Sequence, residues 1–274
     1  MSDIALGVVQ KELTIFEKLW NQTWLRKLCV LILIATAWEV YGRFLDNPLL
    51  VPTFGDTVTA LWGGVKSGVI VDRAGTTLYV LLFGFAVGVF LAGVLTVAAI
   101  TTQIGTDFLE TITAMFSPLP AIAMLPLALI WFGLGMGSLI FVMVHSVLWP
   151  MALNTHAGFR AVSPTLRMVG RNYGLSGFGL VFKILIPAAF PSILAGLKIG
   201  WAFAWRTLIA AELFFGASSG RGGLGWYIFQ NRNELMTDHV FAGLATVVLI
   251  GWGVERLVFD SIARVTVRRW GLQR

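Results

Sequence analysis

Charge is what this sequence has least of. Asp, Glu, Lys and Arg together make up 12% of its 274 residues, against roughly 25% in soluble domains. That shortage excludes an ordinary water-facing surface for a chain that is 57% hydrophobic, with a mean hydropathy of +0.81. Cysteine is almost missing: Cys29 stands alone, so no intrachain disulfide framework holds the fold. There is no Gly-x4-Gly-Lys-[Ser/Thr] phosphate loop, which excludes an ATPase. No metal cluster, nucleophile–base pair or cofactor motif points to an enzyme.

Long apolar runs fill the space left by charge. A bilayer core takes about 20 apolar residues per helix, and six runs qualify: residues 25–44, 76–100, 111–132, 137–155, 184–215 and 239–259. The expectation is an all-α, polytopic membrane protein with about six transmembrane helices. The fifth run is long enough to need a tilt or a break. Asp3, Glu12 and Glu17 precede the first run and no small-residue cleavage site follows it, so it reads as a span and not as a cleaved signal peptide.

Lys and Arg orient the spans. With the N-terminus inside, the inner side holds Lys11, Lys18, Arg26, Lys27, Arg160, Arg167, Arg171, Lys183, Arg264, Arg268, Arg269 and Arg274. The outer side holds Lys66, Arg73, Arg221 and Arg232. Twelve against four places both termini in the cytoplasm, and it makes the pI near 9.8 a consequence of topology, not of nucleic-acid binding. The chain divides into a cytoplasmic segment 1–27, a membrane domain 28–260 with a cytoplasmic loop 157–183, and a basic tail 261–274. A short inner loop at 101–110 carries two acids and no base. Gly133–Gly137 (GxGxG) ends a span with no strand before it and reads as a tight turn.

The stretch "RMVGRNYGLSGFGLVFKILIP", residues 167–187, interrupts the apolar pattern on the inner side. Ser163-Pro164 is a helix start, and Gly174 a stop, because glycine takes the left-handed conformation without penalty. Leu166, Val169, Tyr173 and Leu175 give the short helix an apolar side, Arg167 and Arg171 share a face, and Gly177 and Gly179 keep the next segment close to its neighbour. The pattern fits a surface helix offering a docking face, or a basic loop that only satisfies the positive-inside rule.

Polar residues inside spans mark cavities or partners. The candidates for a path are Lys198, Trp205, Arg206 and Glu212 in the fifth span and His145 in the fourth. Arg206 and Glu212 lie about 120° apart on a helix, so they do not pair directly. Arg206 suits a planar oxyanion, which guanidinium holds bidentately, or a structural ion pair with a neighbouring helix or second subunit. A carboxylate would repel such an anion, so Glu212 is expected in a structural hydrogen bond near the gate. His145 is expected as a hydrogen-bonded core histidine and His156 at the interface. Trp38 and Glu39 suit contact with another helix, and Trp20, Trp24 and Trp270 the interfacial belt. Pro118, Pro120, Pro126 and Pro150 should bend spans three and four.

Gly174, nine further residues, then Ile184-Leu185-Ile186-Pro187 resemble the cytoplasmic signature E-A-A-x3-G-x9-I-x-L-P of the permease subunits of ATP-binding-cassette importers. Ile186 replaces the Leu, and Met168-Val169-Gly170 stand in the Glu-Ala-Ala places. "PSILAGLKIGWAFAWRTLIAAELFFG" (191–216), "SPLPAIAMLPLALIWFGLG" (117–135), "GLGWYIFQNR" and "VRRWG" resemble the nitrate/sulfonate/taurine/bicarbonate branch of these permeases. The similarity implies a type I importer permease fold in a bacterial inner membrane. It implies a small anionic cargo, and a path formed with a second permease subunit, as a homodimer. Two ATP-binding subunits would dock on the loop carrying Arg167, Arg171, Tyr173, Gly174, Gly177, Ile184 and Pro187, and an extracytoplasmic binding protein would deliver cargo. ATP then belongs to the partner, with no cofactor or metal in this chain, and Glu212 falls where the family is acidic. An ATP-independent secondary transporter or channel for a small anion is the alternative; no internal repeat supports it, and the loop would have no role.

Overall fold

Every apolar run folds as a helix, the form that satisfies its own backbone N–H and C=O groups in hydrocarbon. The computed structural model describes residues 20–215 and 222–268. Residues 1–19 with Lys11 and Lys18, 216–221 with Arg221, and 269–274 with Trp270 and the end of "VRRWG" lie outside the described residues. Among the described residues there is no strand.

The order is α1 (Thr23–Leu45), α2 (Phe54–Lys66), α3 (Val69–Ile100), α4 (Gln103–Phe116), a single turn at Ala121–Met124, α5 (Leu125–Phe132), α6 (Met136–Ala161), α7 (Pro164–Asn172), α8 (Gly177–Ala188), α9 (Phe190–Phe215), α10 (Leu224–Asn233) and α11 (Thr237–Val254). Among the described residues, five helices are long and apolar enough to cross a membrane, and six if the bent pair α4 and α5 counts as one span. The protein is therefore an all-α polytopic membrane protein, as its composition requires.

Two expected breaks appear, and two other expectations change. The third span is not one straight helix: its two halves meet at 86°. Pro118 and Pro120 lack the N–H groups that would continue α4, so it stops at Phe116 and restarts as a tight turn. The loop expected at 101–110 is mostly helix, because the Thr102 hydroxyl accepts from Gly105 N–H and starts α4 at Gln103. The fifth run breaks before α9, where α8 contains a π turn at Val181–Leu185. The last helix also runs on past Phe259, through π turns at Glu255–Phe259 and Arg264–Arg268.

Helix α6 is the centre, packed along both α3 and α9. Small residues four apart on α3 (Gly84, Gly88, Ala92 and Thr96) form its buried stripe, the spacing that lets membrane helices approach closely. A Cβ at Gly88 would stand 2.8 Å from Val147 Cβ, and one at Gly158 of α6 would stand 2.5 Å from Ser192 Cβ of α9. Val142, Met143 and Val147 of α6 and Leu208 of α9 are fully enclosed.

Helix α1 stands apart. Trp38 and Glu39 do meet neighbours, as expected: the Trp38 ring lies 5.5 Å from Phe241 of α11, its indole N–H donates to Pro52 O (3.0 Å), and Glu39 accepts from Gly55 N–H (3.0 Å) at the start of α2. Thr53 and Asp56 close a reciprocal capping box there. Leu31, Leu33 and Phe44 of α1 remain exposed, as lipid-facing side chains do.

Candidate functional site

The segment after α6 is a rigid corner. The Ser163 hydroxyl accepts from Leu166 N–H and caps α7. At its other end Gly174, at φ +76°, donates to Arg171 O (2.9 Å) while Leu175 N–H reaches back to Gly170 O (3.0 Å). That double bond pattern is a Schellman stop, and it needs the left-handed residue. Gly177 also has a positive φ, +50°.

The two arginines do different things, although they were expected to share a face. The Arg167 guanidinium turns inward, donating to Phe159 O and to Val162 O, the last carbonyls of α6. It clamps α7 to the end of α6. Arg171 stays exposed. Tyr173, Met168 and Val169 are exposed beside it, with Tyr173 at 83%. Leu175 is half-buried. The inner face is Gly170, where a Cβ would meet Leu180 Cδ1 at 2.8 Å and Ile184 Cγ1 at 3.0 Å. Ile184 thus seats α7 on α8, and Pro187 lies exposed where α8 nears its end.

At the opposite end of the molecule Glu212 is 4% exposed. The Thr77 hydroxyl of α3 donates to its carboxylate, and so does Gly225 N–H at 2.8 Å, while Leu224 N–H donates to Thr77 Oγ1 at 2.8 Å. Gly223 precedes α10 and has no side chain to cap it. A carboxyl group from α9 and a hydroxyl from α3 take that place as hydrogen-bond acceptors. The glycines are needed: a Cβ at Gly223 would lie 2.2 Å from both Glu212 Oε1 and Thr77 Oγ1. Nearby, Tyr227 on α10 bonds His239 Nδ1 (2.9 Å), and burial, then the Asp238 carboxylate, push its phenol pKa up.

The remaining path candidates are not brought together. Lys198 pairs with Glu255 (3.2 Å) and Asp260 (3.5 Å) on the last helix. Trp205 is buried against α11, where a Cβ at Gly251 would stand 3.3 Å from its indole nitrogen. Arg206 is exposed and has no hydrogen-bond or ion-pair partner among the described residues. His145 is buried, as expected, but not hydrogen-bonded: neither ring nitrogen has a partner among the described residues. Its ring abuts Trp149, at 6.0 Å between centroids, which offers an edge and a donor but no acceptor. His156 is 4% exposed, in the seam between α4 and α6.

That seam was not legible in the sequence. Glu110 of α4 bonds Arg160 of α6, and His156 Nδ1 lies 3.9 Å from the same carboxylate oxygen. A cavity of about 600 Å³ opens beside them, lined by Thr113, Ser117 and Leu153 among others. The partners Thr77, Gly223 and Gly225 of Glu212 were also missed; the Gly-Leu-Gly at 223–225 was the available signal.

The comparisons agree on one family. Residues 84–271 match the model of the binding-protein-dependent transport system inner membrane component. The chain is 33% identical over 174 residues to the taurine transport system permease protein TauC of Escherichia coli, covering 64% of this chain and 59% of TauC. It is 31% identical over 216 residues to the nitrate import permease protein NrtB of Synechocystis sp., covering 77% of this chain and 73% of NrtB. With the matched region spanning α3 from Gly84 through the last described helix, the chain belongs to the binding-protein-dependent inner-membrane permeases of ATP-binding-cassette transporters, in the nitrate/sulfonate/taurine branch.

Proposed function

We propose that this chain forms the translocation path for a small anion such as taurine, another sulfonate, nitrate or bicarbonate. Separate ATP-binding subunits, docked on α7, drive it, and an extracytoplasmic binding protein supplies the cargo. ATP is held by those subunits and no cofactor by this chain. A second permease subunit, a copy of this one, completes the path, and the α7 end faces the cytoplasm.

The observation that carries this reading is the build of α7. A helix that transmits a partner's motion must not pivot on its own chain. This one is fixed by the Arg167 clamp at the end of α6, the Gly170 seat on α8 and the Gly174 stop. Its outward side, Met168, Val169, Arg171 and Tyr173, is left for another molecule. Arg206 supports the anionic cargo: an unpaired guanidinium within a span is costly in hydrocarbon and suits a cavity or an anion.

The test is reconstitution with the ATP-binding subunit and binding protein in proteoliposomes. ATP-dependent accumulation of labelled taurine or nitrate is expected, and the chain alone should show neither uptake nor ATP hydrolysis. Uptake that proceeds without the ATP-binding subunit would sink the reading in favour of a secondary transporter.

A further inference from the structure

We propose that the cavity between α4 and α6 is a binding site for one small oxyanion, the cargo itself, on its way past the α7 end of the molecule. The inference rests on the reading of the chain as an anion permease and names a place within it.

The cavity holds about 600 Å³ and is walled by Glu110, Thr113, Ser117, His156 and Arg160, with an apolar side that includes Leu153. His145, Trp149, His156 and Arg160 fall on one face of α6, because their spacings are close to whole helical turns. Along the seam, side-chain groups able to donate a hydrogen bond accumulate without partners. His156 Nε2 and Thr113 Oγ1 are buried and have no partner among the described residues. The 3.9 Å from His156 Nδ1 to Glu110 is too long for a hydrogen bond. Deeper in the seam, Trp149 Nε1 and both nitrogens of His145 are equally unpartnered. A buried polar group without a partner costs about 1–3 kcal/mol, so a run of them is poor structure unless something fills it.

The chemistry of the wall selects the filler. The His156 imidazole, the Thr113 and Ser117 hydroxyls and the Arg160 guanidinium can all donate, and the one carboxylate of the lining, Glu110, is already engaged by Arg160. A cation would meet one carboxylate, already paired, and the repelling Arg160 guanidinium, whereas an oxyanion meets that guanidinium and several groups able to donate. Leu153 gives a short alkyl tail somewhere to lie. The Glu110 carboxylate then acts as an internal stand-in: it occupies Arg160 while the site is empty, and the incoming anion competes with it. Its side chain is 46% exposed, which leaves it room to turn away.

The competition gives opposite signs for two neutralising changes. The full-length chain, labelled with 15N-histidine, is placed in nanodiscs of zwitterionic lipid. It has three histidines, so His156→Gln assigns the signal directly. Titration with sodium ethanesulfonate should shift the His156 resonance saturably, and sodium chloride at equal ionic strength should not. Arg160→Gln should raise the half-saturation concentration about tenfold or more, the loss of one charge-assisted hydrogen bond. Glu110→Gln should lower it by freeing Arg160. Thr113→Val, which changes no charge, should raise it severalfold.

No saturable shift, an equal response to chloride, or a response to phosphatidylglycerol in the disc with none to ethanesulfonate would each overturn the site. So would weaker binding in Glu110→Gln, because the pair would then be only a strut. The functional reading is tested apart from this: it fails if the assembled wild-type transporter moves no anion. If the wild type transports and both Arg160→Gln and Thr113→Val match its rate and half-saturation, the site alone fails.

Discussion

The Thr77 hydroxyl lies 3.0 Å from each oxygen of the Glu212 carboxylate, so a single proton donor on α3 bridges both acceptors on α9. The same threonine oxygen accepts from Leu224 N–H. Three helices therefore meet at one buried polar knot, and its bonds are made within the protein, leaving Glu212 little capacity to hold cargo.

Glu212→Ala should lower stability by about 3 kcal/mol, because it strips the acceptor from two buried donors. Glu212→Gln, which keeps one acceptor oxygen, should cost about 1 kcal/mol. Thermal melting of the detergent-purified protein measures both. Equal melting temperatures for wild type and Glu212→Ala would mean that the knot contributes nothing to the fold.

Arg167 and Arg171 should separate cleanly. Arg167→Ala leaves the terminal carbonyls of α6 uncapped and should lower the melting temperature of the isolated chain, by about 1–2 kcal/mol in stability. Arg171→Ala should leave melting unchanged and weaken capture of the ATP-binding subunit in a pull-down. If both variants melt and bind alike, the difference in their surroundings has no functional meaning.

At Gly174 the backbone is left-handed, a conformation that costs an L-residue about 1–2 kcal/mol. Gly174→Val should loosen partner binding strongly and Gly174→Ala mildly, while protease mapping of the loops shows the same membrane topology. Open space surrounds the glycine, with no heavy atom within 4 Å of a Cβ there, so any loss comes from the backbone and not from a clash. Full partner binding and full transport-coupled ATP hydrolysis in Gly174→Val would place the joint elsewhere.

Arg206→Ala should reduce uptake without reducing the yield of the isolated chain, because no partner within the described residues is left uncompensated. Uptake and complex yield are to be measured together. A yield that falls in step with uptake would assign Arg206 to an intersubunit ion pair.

What the sequence could convey depended on range. The apolar runs and the start and stop of α7 are local, and Ser163, Pro164 and Gly174 marked the short helix to within a residue. Pro118 and Pro120 marked a bend in the third span, but its size, 86°, depends on what the two halves pack against and is not a local property. Pairing was beyond reach. Glu212 finds Thr77 and Lys198 finds Glu255 across the fold, and no periodicity on one helix reveals which residue another presents. Arg167 misled for the opposite reason: its spacing from Arg171 was right, but the last carbonyls of α6, an end effect invisible to a helical wheel, pulled it inward.

The distance along the chain between Thr77 and Glu212, 135 residues, also sets a schedule. At synthesis rates of about 5–20 residues per second, α3 waits roughly 7–27 s for the carboxylate that binds its Thr77. During that interval the chain makes α6, the counterpart of the glycine stripe on α3, while α10 is not yet synthesised. Assembly therefore runs from the middle of the bundle toward α10, and the Thr77–Glu212 knot is tied only once the ninth helix has left the ribosome.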